Sequence, residues 1–394
     1  MSILPKIEKV TRDATISHFF LMFGYKLFSL YFPLFLVARG FSLPEVGYTY
    51  LLIYLPIALS APFVGFLNHK INPAILATLG ILGYGIYALG MILIREPALF
   101  YFWQVLLGIS AALFFVSARA ILMSYPLENP DRAFGWFYSA PFYADAIAPA
   151  VGAFFIWKFN FFGVFIFSLV LQFLTAIFCF TQLRRQTVSL VDKGFQINKS
   201  LENYQKVFTK IREKATFLFI SISLSVLLLA GFYHAFFVLF LKEVLSWSQN
   251  QILLFGSLFS LLFLPVSLLV IKQVEKQKSE KNIFRGSFIA GTFSILFGLV
   301  AAFLNFVNVI LLMIGKSAGA LMTGSGRSGL LSQKLKVYPE EAGAIDTIIA
   351  PLGVALGALI AGLLIGFLGY QLLFIFGGIF VVIVGFLVKK FAKF

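Results

Sequence analysis

RRQTVSLVDKGFQINKSLENYQKVFTKIREK, residues 184–214, is the one long polar stretch in a chain of 394 residues, and it lies at the middle. On either side of it apolar runs follow one another with short polar breaks. An α-helix needs about 20 mostly apolar residues to cross a bilayer core. Runs of that kind stand at about 14–38, 46–67, 73–94, 97–123, 133–157 and 159–183 before the polar stretch. After it they stand at about 215–241, 250–271, 283–304, 306–331, 342–368 and 370–388. The expected fold is therefore an all-α membrane protein of twelve transmembrane helices in two six-helix bundles. Residues 1–183 form the first bundle, 184–214 a linker and 215–394 the second. Within the linker Leu201, Tyr204, Phe208 and Ile211 recur at helical spacing opposite Lys206 and Lys210. That pattern suits an interfacial helix, and an ordinary solvated connector stands beside it as an alternative.

Composition agrees. Hydrophobic residues make up 60% of the chain and charged residues 12%, with a mean hydropathy of +0.95, where a soluble domain carries roughly 25% charged residues. The net charge of +15 does not mark a nucleic-acid binder, because such proteins gather their charge on a soluble face and here it sits in short loops. With the N-terminus placed inside, inner segments hold 23 basic residues and outer loops only Arg39, Arg95, Lys158 and Lys242. By the positive-inside rule both termini are expected in the cytoplasm. The polar start, Met1 to Asp13, gives no expectation of a cleaved signal peptide. Cys179 is single, so no internal disulfide or cysteine metal cluster is expected.

An internal repeat relates the two halves. Ser117-Ala118-Arg119-Ala120-Ile121-Leu122-Met123-Ser124 ends the fourth run, and Ser325-Gly326-Arg327-Ser328-Gly329-Leu330-Leu331-Ser332 ends the tenth. Ser, Arg, Leu and Ser coincide, and a proline-containing, acidic loop follows each, as two parallel six-helix repeats would give. Twelve spans, a central linker and parallel halves resemble the major facilitator superfamily. Gly65-Phe66-Leu67-Asn68-His69-Lys70-Ile71-Asn72-Pro73 is similar to that family's signature G-x-L-x-D-[RK]-x-G-[RK]: Gly65, Leu67 and Lys70 match, while His69 stands for the acid. Asn72 takes the place of its second glycine, a substitution that the tolerance of Asn for left-handed backbone permits. Ala144-Asp145-Ala146-Ile147-Ala148-Pro149-Ala150-Val151-Gly152-Ala153 resembles a diluted antiporter signature, although packing explains a small-residue span as well.

The resemblance implies an alternating-access secondary transporter for a small solute, with its binding site near the midplane. Charges inside the bilayer are costly, so they should face the protein interior or water. Lys26, Asp145 and Lys316 are about ten to twelve residues into their spans and so lie near the midplane. Asp145 is the expected proton-coupling group. Lys26 and Lys316, with Tyr25, Tyr138 and Tyr143, are the expected solute ligands, and the two lysines suit an anionic group. A Lys–Asp pair that only orients helices is the competing explanation. Tyr54, Tyr84 and Trp136 are further cavity candidates, and Pro33, Pro56, Pro141 and Pro149 are expected bends. Arg119, Arg327, Asp346 and Lys70 are expected at an inner gate, Arg119 pairing with Asp346. Snorkelling would also account for the arginines. Lys316, Thr323 and Arg327 share a helix face that could form a basic track or pack small residues. His234 reads as a packing histidine more readily than a proton relay.

No G-x-x-x-x-G-K-[ST] loop, H-E-x-x-H or G-x-S-x-G occurs, and His18, His69 and His234 have no metal-ligand spacing. Neither ATP hydrolysis nor a cofactor nor a metal is expected. The sequence thus points to a monomeric, proton-coupled carrier, symporter or efflux antiporter, in the inner membrane of a prokaryote. A membrane enzyme or lipid scramblase without gradient coupling is the alternative.

Overall fold

The computed structural model describes residues 5–29, 39–40, 43–94, 97–187 and 196–392, and among them there is no β-strand. Residues 30–38, the last nine of the first expected span, with Pro33 among them, and linker residues 188–195 lie outside these. The helices α1 (Lys9–Ser29), α2 (Leu43–Lys70), α3 (Pro73–Leu93) and α4 (Pro97–Ser124) open the chain. Pro130–Leu183 is one long element broken at Asn160 (φ 59°, ψ −172°) into α5 (130–159) and α6 (161–183). The linker helix α7 (Ile197–Arg212) leads to α8 (Lys214–Glu243), α9 (Gln249–Glu275), α10 (Ser279–Leu299) and α11 (Phe306–Lys334). Pro339–Ala392 is broken likewise at Gly369 (φ 67°, ψ 175°) into α12 (339–368) and α13 (370–392).

Among the described residues nine elements are long and apolar enough to cross a membrane, the two broken ones covering 54 residues each. The chain is a multi-pass membrane protein. Nine is three fewer than the twelve expected: two of the elements carry a break within them, and α1 is not among the nine. Near residues 158 and 369, where breaks are expected, one residue at positive φ turns the chain, a conformation that glycine adopts freely and that Asn160 holds at a cost in strain. The reversal is visible in the contacts: the Phe155 and Phe167 rings stack at 4.5 Å across the break. Along α1, His18 meets Phe137 and Leu27 meets Gly152 on α5, whereas Gly24 meets Ser168 and Leu21 meets Gln172 on α6. Hence α5 runs with α1 and α6 against it.

Asparagine does a different job at position 72 from the one expected. Its backbone (φ −51°, ψ 124°) is not left-handed, and its side chain caps α3 by accepting from the Ala74 N–H, with Pro73 at the first helical position. Asn129 caps α5 in the same way ahead of Pro130. Both pairings use the preference for Asn before a helix and Pro at its start. Helix continues through Pro56, Pro141 and Pro149.

Helices approach most closely at small residues, as expected where lipid gives no hydrophobic drive between them. A Cβ on Gly152 of α5 would fall 1.8 Å from the Leu27 carbonyl of α1, and one on Gly357 of α12 2.1 Å from that of Leu228 on α8. Gly315 and Gly319 of α11 pack on Phe293, Gly286 and Ala290 of α10. One apolar core joins Leu21, Phe114, Phe137 and Phe165 with Leu331, Leu335 and Ile345 from the second half. A separate core of Phe240, Phe297, Val309 and Phe374 fills the far end of that half.

Candidate functional site

A buried polar cluster is built on Asp346, eight residues into α12. Its Oδ1 lies 2.6 Å from Arg327 Nε of α11, and its Oδ2 lies 3.1 Å from Arg119 Nε of α4. The Tyr138 hydroxyl of α5 and the Ser328 hydroxyl donate to Oδ2 at 2.8 and 2.6 Å. Arg119 also donates to Tyr138 and to Thr347 Oγ1. Asp346 is fully buried and the arginines are 6% and 3% exposed, so neither guanidinium snorkels. Three charged groups taken out of water are tolerable only when each is bonded, and here the carboxylate serves both guanidinium groups while two hydroxyls supply its remaining bonds. The structure thus brings Arg119, Arg327 and Asp346 together. It places Tyr138, expected beside the solute, in the same cluster.

Further into the molecule Lys26 Nζ of α1 sits 3.1 Å from the Asp145 carboxylate of α5, with 29% of each side chain exposed. Lys316 of α11 lies 4.1 Å over the Tyr233 ring of α8, and among the described residues it makes no ion pair. His234 is exposed and lies within electrostatic reach of Lys316 and Lys26. It is therefore not the packed residue that a lone histidine suggests. Tyr143 shares a hydrogen bond of 3.0 Å with Ser267 of α9. Tyr25 packs edge-on against Phe28 and Tyr84. Thr323 is buried and bonds back to Gly319 O on the side facing α10, so it does not continue a track from Lys316 to Arg327.

Two further networks escape a reading of the sequence. Arg132 of α5 bonds Glu8, Glu275 and Glu128 at 2.6, 2.6 and 3.2 Å, tying the start of α1 to the end of α9. Lys6 and Arg132 together hold the exposed Glu128 carboxyl below its ordinary range. Beside them Asp131 accepts from Ser279 and Asn282 at the start of α10. The second network surrounds His69 at the end of α2, whose Nε2 is 2.9 Å from Glu341 Oε1 and 4.0 Å from Glu340 Oε2. Asn203 of α7 donates to that same Glu341 oxygen at 3.0 Å, and the neighbouring Tyr204 donates to Pro62 O. Burial, with Glu341 and Glu340 adding, pushes the Tyr204 hydroxyl far above the usual tyrosine range. Lys70, expected at the gate, lies over the Phe66 ring of its own helix at 5.2 Å. The signal for this network was an inversion: the acid missing at His69 stands on the opposite segment, as Glu340-Glu341.

Comparison with known proteins agrees with this architecture. The family profile described as Major Facilitator Superfamily matches residues 14–345. The fold is similar to that of the human organic anion transporter MFSD10, with a TM-score of 0.75 at 14% identity, covering 96% of this chain and 99% of that one. It is also similar to the proton:xylose symporter XylE, at 0.71 and 12% identity over 98% and 95% of the chains. A bacterial homologue of the iron transporter ferroportin, in an outward-facing state, gives 0.66 at 11% identity over 97% and 99%. Curated protein sequences give no match.

Proposed function

The chain belongs to the major facilitator superfamily, and from that premise we propose that it is a proton-coupled secondary carrier that moves a small, anionic solute by alternating access. Its membrane unit has twelve crossings: the nine apolar elements, one extra crossing for each of the two that double back, and α1. Residues 1–183 and 215–394 are the two rocking halves, joined by the linker at 184–214, with both termini in the cytoplasm of a prokaryote.

One observation carries the reading. The Asp346 cluster joins an arginine from each half in a buried contact, while the Lys26 and Asp145 side chains are each 29% exposed. One mouth is shut and the midplane open, which is one of the two states an alternating-access carrier must visit. The shared core of Leu331, Leu335 and Ile345 with the first half supports closure on the same side. Arg119, Arg327 and Asp346 are then the inner gate. Lys70 stands at its edge.

The solute sits between Lys26, Lys316 and His234, with Tyr25 and Tyr143 on the approach. Lys316, which among the described residues has no carboxylate beside it, gives the site its preference for negative charge, as the similarity to an organic anion transporter also favours. Asp145 takes the coupling proton, because neutralising it frees Lys26 for the solute. Reconstituted into liposomes, the protein is expected to show saturable counterflow of an organic anion. Turnover or lipid flipping without solute flux would overturn the carrier reading.

A further inference from the structure

His69, Glu340 and Glu341 form a cluster outside the transport path, and their donor atoms all lie within 4.8 Å of one another. His69 belongs to the first half and the glutamates to the second, so whatever joins them joins the halves. The side chains are 12%, 8% and 0% exposed. Glu341 Oε1 is bonded by His69 and Asn203, but Glu341 Oε2 is buried without any hydrogen-bond donor. An unsatisfied carboxylate oxygen in such a place is costly. Among the described residues no lysine or arginine pairs with either glutamate, and a protonated His69 would still leave two negative charges facing one positive.

We propose that this cluster is a binding site for a divalent transition-metal ion of the zinc type, which clamps the inner mouth shut. One dication and two carboxylates sum to zero charge. One imidazole nitrogen with two carboxylate oxygens is a donor set that suits zinc, and imidazole disfavours magnesium and calcium, which take oxygen. Glu341 Oε2 supplies the oxygen that now lacks a partner. Asn203 stands behind it as the group that orients the Glu341 carboxylate, tying the linker helix to the clamp. The separation of His69 and Glu341 by 272 residues is why spacing along the chain gives no hint of the site.

Binding is tested apart from transport. The full-length protein in detergent, stripped with EDTA, is titrated with ZnCl2 by calorimetry, and the zinc-loaded protein is examined by X-ray absorption. A single saturable site is expected, with one imidazole at about 2.0–2.1 Å and oxygen as the other donors. Glu341→Gln and His69→Ala should abolish it. Asn203→Ala should weaken it by roughly tenfold, the usual effect of losing an orienting partner. His234→Ala should leave it unchanged. No saturable site in the wild type, a spectrum without imidazole, or loss of the site in His234→Ala rather than His69→Ala would each overturn the proposal. The clamp itself, which rests on the carrier reading, is tested in the same preparation by double electron–electron resonance between spin labels on the cytoplasmic ends of the halves. Zinc should narrow the distance distribution in the wild type and not in Glu341→Gln; zinc binding without narrowing would overturn the clamp and leave the site.

Discussion

Asp346 and Asp145 are both carboxylates within apolar helices and paired with cations, and their surroundings differ. Asp346 is buried and bonded from four sides, so Asp346→Asn strands two buried guanidinium groups. Removing one partner of a buried ion pair costs about 3–5 kcal/mol. Arg119→Gln leaves the Arg327–Asp346 pair whole and should cost clearly less. Thermal unfolding in detergent should therefore rank Asp346→Asn well below Arg119→Gln; equal losses would mean that Arg327 does not hold the carboxylate independently. A charge swap of Arg119 with Asp346, natural for an isolated pair, should fail here because it sets Arg327 beside a new arginine. Asp145 is part exposed with one partner, as a group that gains and loses a proton requires. Asp145→Asn should retain counterflow of solute and lose accumulation driven by a pH gradient, and retained accumulation would remove it from the coupling step. The sequence made these residues legible because a charge inside an apolar run is conspicuous. It hid Arg132, His69 and Glu341, whose segments look like ordinary loops until folding sets their partners, 124 to 272 residues away, beside them.

At the scale of elements, periodic hydrophobicity located the membrane helices because burial in lipid demands long apolar runs. It left a single residue, 158 or 369, between two pairs of runs, and the helices break there or nearby through one positive-φ residue with no polar loop. Asn160 and Gly369 are such residues. Asn160 already carries a Cβ at positive φ, so Asn160→Gly should relieve about 1–2 kcal/mol of strain, while Asn160→Val, being β-branched, should lower the melting temperature. Helix packing gives a sharper comparison. Gly152→Val and Gly357→Val drive a side chain into the facing carbonyl of α1 or α8, whereas Gly256 of α9 has nothing within 4 Å of where a Cβ would stand. The first two should lose about 1–3 kcal/mol or more through overpacking, read as a lower melting temperature. Gly256→Ala should be neutral or slightly stabilising, because alanine is favoured over glycine in a helix by roughly 0.5–1 kcal/mol. A similar penalty at all three positions would mean that close approach of α1 to α5 and of α8 to α12 is not what the glycines serve.

For the whole molecule the question is how firmly one mouth is held shut. In the proposed carrier, closure is distributed: the Asp346 cluster joins α4, α5, α11 and α12, Arg132 ties α5 to α1 and α9, and His69 with Asn203 ties α2 and α7 to α12. Contacts that exist only in the closed state bias the equilibrium by their differential free energy, and each 1.4 kcal/mol lost raises the open fraction about tenfold while it is small. Arg132→Gln removes three carboxylate contacts at the rim and none at the midplane, so it should open the mouth without touching the solute site. Ala344 reports on this, being fully buried on α12 where the second half packs on the first. With Ala344→Cys as the only reactive thiol, in a Cys179→Ser background, labelling by a cytoplasmic maleimide should be slow and should rise by about tenfold or more when Arg132→Gln is added. Solute affinity at equilibrium should change only by the same population factor. A labelling rate unmoved by Arg132→Gln would place the whole of closure on the Asp346 cluster, and the rim ion pairs would then serve to position α1 and α9 and not to hold the gate.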